Sequence, residues 1–327
     1  MKIMFFDSDQ TLSDYFKDKD FAGAEVDFIK GPADPSAPEA AAASVISVFV
    51  NSALDAAALS GFPNLKLIAA RSAGVNHIDM EYCRAHNIKV ASAAGYGEFA
   101  VSEFAMGLLL CLMRRIIPAN KDMIAGHIEM NKYIGRDIRG KTVGVFGTGT
   151  IGSAFARLAH AFGARVIAHD RGENPELSGI VEYVDLDTLY KESDIVALNI
   201  PANAANYHII NTGAIAKMKP GVIILNIARG ELVNSRALYD AIVSGHVGGV
   251  AQDVLELESA MNIAVGVDTL SKDQMEIVMY NEKMKLMDNV LFTPHTAFNS
   301  VEANQRILEM TYDNIMGLFS PCGGVAA

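Results

Sequence analysis

Short runs of Val, Ile and Leu, each closed by turn residues, recur along this chain and leave few folds open to it. In the first half they fall at Lys2 to Asp7, Glu25 to Lys30, Val45 to Asn51, Leu65 to Ala70 and Lys89 to Ala93, with helix-like segments between most of them. A second series is more apolar: Thr142 to Gly147, Ala164 to Asp170, Asp194 to Ile200, Gly221 to Ile227, Gly248 to Asp253 and Val290 to Thr293. Strands without polar alternation are buried on both faces, as in a parallel sheet covered by helices. Two α/β domains in succession are expected, and 327 residues at 50% apolar composition can fill two cores. The loop Gly31 to Pro38 reads as a surface turn leading through Ala40 to Ala43 into a helix start. The segment Asn299 to Leu318, with Ile307, Met310, Ile315 and Leu318 at roughly helical spacing, follows the second sheet and must dock somewhere.

Composition removes several function classes. A formal charge of −11 argues against nucleic acid or an anionic membrane surface as the main partner. The most apolar stretch, Phe104 to Met113, is about half as long as a membrane-spanning helix requires, and reads as a buried helix or an oligomer contact. The N-terminus resembles a first strand rather than a signal peptide, so a cytoplasmic protein is expected. Cys83, Cys111 and Cys322 form no CxxC pair, and the spacing of His77, His86, His127, His160, His169, His208 and His246 matches no metal-ligand pattern. These side chains read as reduced thiols and as structural or surface histidines, and no metal is expected.

The motif Gly147-Thr148-Gly149-Thr150-Ile151-Gly152 directly follows a candidate strand and opens the helix-like stretch Ile151 to Phe162. In that context Gly147 permits a tight turn, Gly149 lets backbone approach a pyrophosphate, and Gly152 allows close helix–strand packing. The helix N-terminus supplies N–H groups and positive potential for the phosphates, so a local dipole overrides the global charge. The next strand ends in Asp170, 23 residues after Gly147, where a carboxylate can accept both adenosine ribose hydroxyls and repel a 2′-phosphate. NAD is therefore expected over NADP. Arg171 next to it leaves two readings open, tolerance of a phosphate or stacking on adenine.

Three further segments lie at the C-terminal ends of candidate strands: Asn226 to Gly230, Asp253 to Glu258, and Thr293 to Phe298. In an open parallel sheet those ends border the ligand crevice. Taken singly, Arg229 could cap a carbonyl, Glu258 could be a solvated loop acid and His295 could be structural. Taken together they meet the needs of hydride addition to a 2-oxo acid. Arg229 supplies a fixed cation with a fork suited to a carboxylate. His295 supplies a proton near neutral pH, and Glu258 orients the ring and raises its pKa.

The run Gly147 to Gly152, Asp170, Asn226 to Gly230, Asp253 to Glu258 and Pro294 to Phe298, with Arg71 to Asp79 and Tyr96, resembles the NAD-dependent D-2-hydroxyacid dehydrogenases, most closely the fermentative D-lactate dehydrogenases. The resemblance spans nearly the whole chain, and the long interval between Glu258 and His295 is similar to the D-lactate branch. It implies two Rossmann-like domains around a cleft, one flavodoxin-like and one dinucleotide-binding. Residues 1–99, completed by 298–327, would form the substrate-binding domain, and 100–297 the NAD-binding domain. It implies that Arg229 holds substrate, that His295 is the acid/base with Glu258 as partner, and that Asp253 sits near the nicotinamide carboxamide. Ala228 would join Asp253 on the cofactor side. The N–H groups of Ala73 and Gly74 would take the substrate carboxylate, with Tyr96 and Phe298 around its side chain. The implied activity is NADH-dependent reduction of a small 2-oxo acid, pyruvate to D-lactate first, by a homodimer or homotetramer. Reductases of bulkier oxo acids or glyoxylate, and an NADH-sensing binding protein on the same scaffold, stay open as alternatives.

One segment departs from the family pattern. Ala93-Ala94-Gly95-Tyr96-Gly97-Glu98-Phe99-Ala100 lacks two customary prolines and gains glycines and Phe99. The loop is expected to be more mobile or differently shaped, with Phe99 either at a ligand or packed in the core.

Overall fold

The computed structural model describes residues 1–37, 39–261 and 270–319. Pro38, at the end of the first loop, and Cys322 lie outside the described residues. The chain divides into two compact units, one formed by 1–96 with 300–327 and the other by 97–299.

In the first unit the strands are β1 (Lys2–Phe5), β2 (Glu25–Phe28), β3 (Ala43–Val48), β4 (Leu67–Ala70) and β5 (Lys89–Ser92). They pair in parallel in the order β2-β1-β3-β4-β5. This is the flavodoxin-like order, with its switch between β1 and β3. One face buries Met4, Phe6, Ile46, Val48 and Ile68, and the other buries Ile3, Phe5, Val45, Leu67 and Ala69. The second face is closed by the helix Val301–Met316, whose Ile315 is fully buried there beside Leu308 and Tyr312. That helix is the segment whose spacing left its docking place open and which the family resemblance assigned to the first domain. Ser300 starts it by accepting the Ala303 N–H at 3.1 Å. The alanine run does not open a helix. Ala40–Ala42 makes one 3₁₀ turn and Ala43 enters β3, because Ala40 and Ala43 are both drawn into the core.

The second unit holds β6 (Thr142–Phe146), β7 (Arg165–His169), β8 (Val181–Tyr183), β9 (Ile195–Leu198), β10 (Val222–Asn226), β11 (Val247–Gln252) and β12 (Val290–Phe292). Their order is β12-β11-β10-β9-β6-β7-β8, all parallel, so the chain changes direction across the sheet between β6 and β9. Ligands of open α/β sheets bind outside the strand C-termini at such a switch. The apolar stretch Phe104 to Met113 is the body of the helix Glu98–Met113, whose Ala105, Leu109 and Met113 are buried in this unit's own core. No helix among the described residues is long and apolar enough to cross a membrane.

Candidate active site

The glycine turn is built as a dinucleotide cradle. Gly147 sits at φ +83°, in the left-handed region that favours glycine. At Gly152 an added Cβ would lie 2.0 Å from the Gly147 carbonyl oxygen, so only glycine lets the helix Thr150–Ala161 approach β6. Gly149 and Thr150 are exposed, and a Cβ at Gly149 would meet nothing within 4 Å, leaving the outer face of the turn open. Most helices of the chain start with an Asp, Asn or Ser that accepts a first-turn N–H. This one starts at Gly149 with no side-chain cap, so its first N–H groups are available to an anion. Ile151 is half-buried and Thr148 buried. These residues fit a bound dinucleotide.

Asp170 lies just beyond β7 beside that turn. Its Oδ2 accepts the Thr148 N–H at 2.6 Å and the Thr148 hydroxyl at 3.0 Å, and its Oδ1 accepts the Arg171 N–H at 2.6 Å. Partial burial pushes its pKa up, but these N–H and O–H donors and the Arg171 charge outweigh that and hold the carboxyl below its ordinary range. Two supporting residues were not visible in the sequence. The Asn174 N–H donates to the Tyr183 hydroxyl at 2.8 Å, and Tyr183 donates to Thr148 Oγ1 at 3.0 Å. A chain of donors thus runs from Asn174 to the Asp170 carboxylate.

At the end of β10, Asn226 is fully buried and shapes the turn that carries Arg229. Its Oδ1 accepts the Ala228 N–H at 3.1 Å, and its Nδ2 donates to the Arg229 carbonyl at 2.9 Å. Arg229 Nη1 donates to the Ala228 carbonyl at 2.7 Å, so the carbonyl-capping reading is correct as far as it goes. Its charge nonetheless acts on both Glu258 and His295.

His295 follows β12 at φ +53°, an uncommon conformation for a non-glycine residue. Asp253 enforces it. This carboxylate is only 2% exposed and accepts from Thr293 Oγ1 at 2.6 Å, the Thr296 N–H at 2.9 Å and the Ala297 N–H at 2.8 Å. The Asp253 carbonyl accepts the His295 N–H at 2.9 Å. The structure therefore turns Asp253 toward the His295 loop. His295 Nδ1 lies 2.7 Å from Glu258 Oε1. That hydrogen bond raises the imidazole pKa above its ordinary 6.5, helped by the charges of Glu258 and Asp253 and opposed by burial and Arg229. For Glu258, burial pushes upward, but the bond to His295, its charge, the Leu255 N–H and Arg229 prevail and lower its pKa. The two shifts are those of a mutually stabilised imidazolium–carboxylate pair.

In the first unit, the turn containing Ala73 and Gly74 leaves the C-terminal end of β4. Arg71, 4% exposed, anchors it: Nη2 donates to the Phe6 carbonyl at 2.6 Å and Nη1 to Ser47 Oγ at 2.9 Å, while Ser72 Oγ donates to the Gly74 carbonyl at 2.7 Å. Burial lowers the Arg71 pKa to about 10, against the opposing charges of Asp7 and Asp9. The Tyr96 carbonyl accepts Arg306 Nε at 2.9 Å. Gly95 takes φ +93°, and Phe99, in the first turn of Glu98–Met113, is 58% exposed, which excludes core packing for it. Phe298 is half-buried against the core of the second unit. Among the described residues, no group of three or more His, Cys, Asp or Glu is placed to hold a metal ion.

Comparison with known proteins agrees with this geometry. The family profile described as D-isomer specific 2-hydroxyacid dehydrogenase, NAD binding domain, matches residues 106–297. A hydroxypyruvate reductase of Thermotoga maritima is 40% identical over 244 residues, 75% of this chain and 74% of that protein. An aromatic 2-oxoacid reductase of Clostridium sporogenes is 35% identical over 326 residues, 96% of this chain and 95% of the relative. Among solved structures, a D-lactate dehydrogenase from Aquifex aeolicus complexed with NAD and lactic acid superposes with a TM-score of 0.85 at 30% identity, covering 97% of this chain and 95% of that one. Glycine cradle, strand-end acid and histidine–glutamate pair thus stand in a chain that belongs to the D-isomer-specific 2-hydroxyacid dehydrogenases, oxidoreductases that use NAD to interconvert 2-oxo acids and D-2-hydroxy acids.

Proposed function

We propose that the chain reduces small 2-oxo acids to D-2-hydroxy acids, with pyruvate to D-lactate first among its reactions. The observation that carries this reading is the 2.7 Å bond between His295 and Glu258 within reach of the Arg229 charge. Bound NADH supplies the hydride. Arg229 presents a permanent cation and a planar fork to the substrate carboxylate and carbonyl. With Nδ1 engaged by Glu258, His295 offers its Nε2 proton to the oxygen that becomes the alkoxide. Glu258 keeps the ring protonated and fixes its orientation. Asp170 binds the adenosine ribose, Gly147 to Gly152 the phosphates, and Ala228 and Asp253 the nicotinamide end. Ala73 and Gly74 contribute N–H groups to the carboxylate, and Tyr96 and Phe298 contact the substrate side chain.

A second reading, reduction of bulkier oxo acids such as phenylpyruvate or 2-oxoisocaproate, draws support from the proline-free loop at Gly95 and the exposed Phe99. The full-length similarity to an aromatic 2-oxoacid reductase supports it too. NADH oxidation with pyruvate, glyoxylate, hydroxypyruvate, phenylpyruvate and 2-oxoisocaproate, with chiral analysis of the product, tests both. The highest kcat/KM on pyruvate with a D product is expected. A preference for phenylpyruvate would favour the second reading, and tight NADH binding without turnover would overturn both.

We further propose a homodimer or homotetramer. The helix Ile116–Ile124 and the residues after it expose Ile117, Met123, Ile124, Ile128, Met130 and Ile134, an apolar series a second copy would cover.

A further inference from the structure

We propose that Glu256 is a positioning residue for this reaction: its buried carboxylate, held by His208 and Ser235, fixes the loop that presents Glu258 to His295. The proposal rests on the reading of the Glu258–His295 pair given above.

In the stretch Leu255-Glu256-Leu257-Glu258 the buried residue is a glutamate, not a leucine. Glu256 is 5% exposed, whereas Leu255 and Leu257 are only half-buried. A buried carboxylate is costly unless donors surround it. Here Oε1 accepts from His208 Nε2 at 2.7 Å and the Tyr207 hydroxyl at 3.3 Å. Oε2 accepts the Ser235 N–H at 3.1 Å and its hydroxyl at 2.9 Å. The histidine tautomer follows from its other neighbour. Asn234 uses its Oδ1 to cap the helix Ser235–Val243, accepting the Ala237 N–H at 2.8 Å, so its Nδ2 is the donor 3.0 Å from His208 Nδ1. Nδ1 accepts, and the ring proton on Nε2 points to Glu256.

These bonds tie together the catalytic segments. The Glu256 carbonyl accepts Nδ2 of the buried Asn281 at 2.9 Å. A Cβ on Gly230 would lie 2.1 Å from the carbonyl of Leu255 and 2.4 Å from the Glu256 nitrogen, so the backbone following Arg229 rests directly on this loop. At its other end the loop is pinned by Asp253 to the turn that carries His295. Directly after the second pin Leu257 takes φ +56°, a left-handed conformation that persists only where the surroundings impose it. That reversal separates buried Glu256 from exposed Glu258, which an extended strand would place on one side. Pinned at Asp253 and Glu256, the loop can hold Glu258 Oε1 at 2.7 Å from His295.

The test uses the full chain, comparing Glu256→Gln, His208→Phe, His208→Gln and Ser235→Ala in wild-type and Glu258→Gln backgrounds. The readouts are kcat, the pH limb of kcat/KM for pyruvate reduction, NADH affinity by fluorescence, and thermal stability. Glu256→Gln is expected to lower kcat about 10- to 100-fold, as small misplacements of a catalytic group do. It should move the limb to lower pH and leave NADH affinity within about two-fold, because Glu256 touches neither the glycine turn nor Asp170. In the Glu258→Gln background it should add less than about two-fold. His208→Phe and Ser235→Ala should act in the same direction and decide the matter if Glu256→Gln does not fold. His208→Gln, which retains a donor for Glu256, should restore the limb. An unmoved limb, or a full multiplicative loss in the Glu258→Gln background, would overturn the proposal and leave Glu256 a stability role only. A Glu258→Gln variant with wild-type kcat and limb would instead overturn the reading on which the proposal rests.

Discussion

A proton is worth having on an imidazole only at a pH where the ring keeps it, and at His295 the Glu258 bond extends that range upward. The sign follows. Reduction needs the protonated ring, so kcat/KM should be full below the ordinary 6.5 and fall as pH rises through a value above it. Glu258→Gln removes the raising charge and should bring that limb down, measured as the pH profile of pyruvate reduction. Arg229→Lys keeps the charge but loses the fork, and kcat/KM should drop about 100-fold or more while NADH affinity holds. Asp170→Ser removes the carboxylate beside the ribose site and should raise the NADPH to NADH preference by roughly ten-fold, or about 1.4 kcal/mol. Steady-state KM values for both cofactors check it. Residues such as Gly152, Asp170, Arg229 and His295 were legible because the chemistry fixes both residue type and place after a strand. Glu256, His208, Asn174 and Tyr183 were not, since each acts through a partner distant in sequence, from nine residues for Asn174 to 48 for His208. His208 reads from sequence as a structural or surface histidine, and its structural role is to bridge Asn234 and Glu256 through its two nitrogens. The one available signal was an acid alternating with leucines after an apolar strand.

At the scale of elements, apolar runs revealed nearly every strand, since a strand buried on both faces needs uninterrupted Val, Ile and Leu. The exception is β8, three residues at a sheet edge with Glu182 in the middle, too short and too polar to register. The run of alanines was misleading for the opposite reason: helix propensity is a weak prior, and burial against the first sheet decided the outcome. The glycine turn allows a sharper test because its glycines are needed for different reasons. Gly152→Ala would drive a methyl into the Gly147 carbonyl, so it should cost about 1–3 kcal/mol of stability and NADH binding together. Gly149→Ala meets no protein atom and has φ −67°, so the melting temperature should hold while NADH affinity falls. Calorimetry and fluorescence titration on the two variants separate packing from ligand approach. Equal losses of stability in both would contradict this assignment.

For the molecule as a whole, the succession of two α/β sheets was legible because each series of strands carries its own periodicity. The last helix had no destination in composition or periodicity, because docking on β4 and β5 is a contact across most of the chain length, and only the family resemblance assigned it to the first domain. The substrate side chain was least legible, since the loop Gly95 to Phe99 departs from the family pattern and residue type alone does not give its shape. The exposed isoleucines and methionines between 116 and 134 give a further prediction. If the proposed oligomer forms through this face, Ile124→Glu with Ile128→Glu should give a monomer in sedimentation velocity without lowering the melting temperature of the isolated chain. An unchanged sedimentation coefficient would exclude this face.

The most direct test is the single-turnover rate of pyruvate reduction by His295→Asn, with NADH prebound and its affinity measured alongside. A fall of about a thousand-fold at unchanged NADH affinity is predicted for loss of the proton donor. A rate within ten-fold of wild type would contradict the assignment of His295 as the acid.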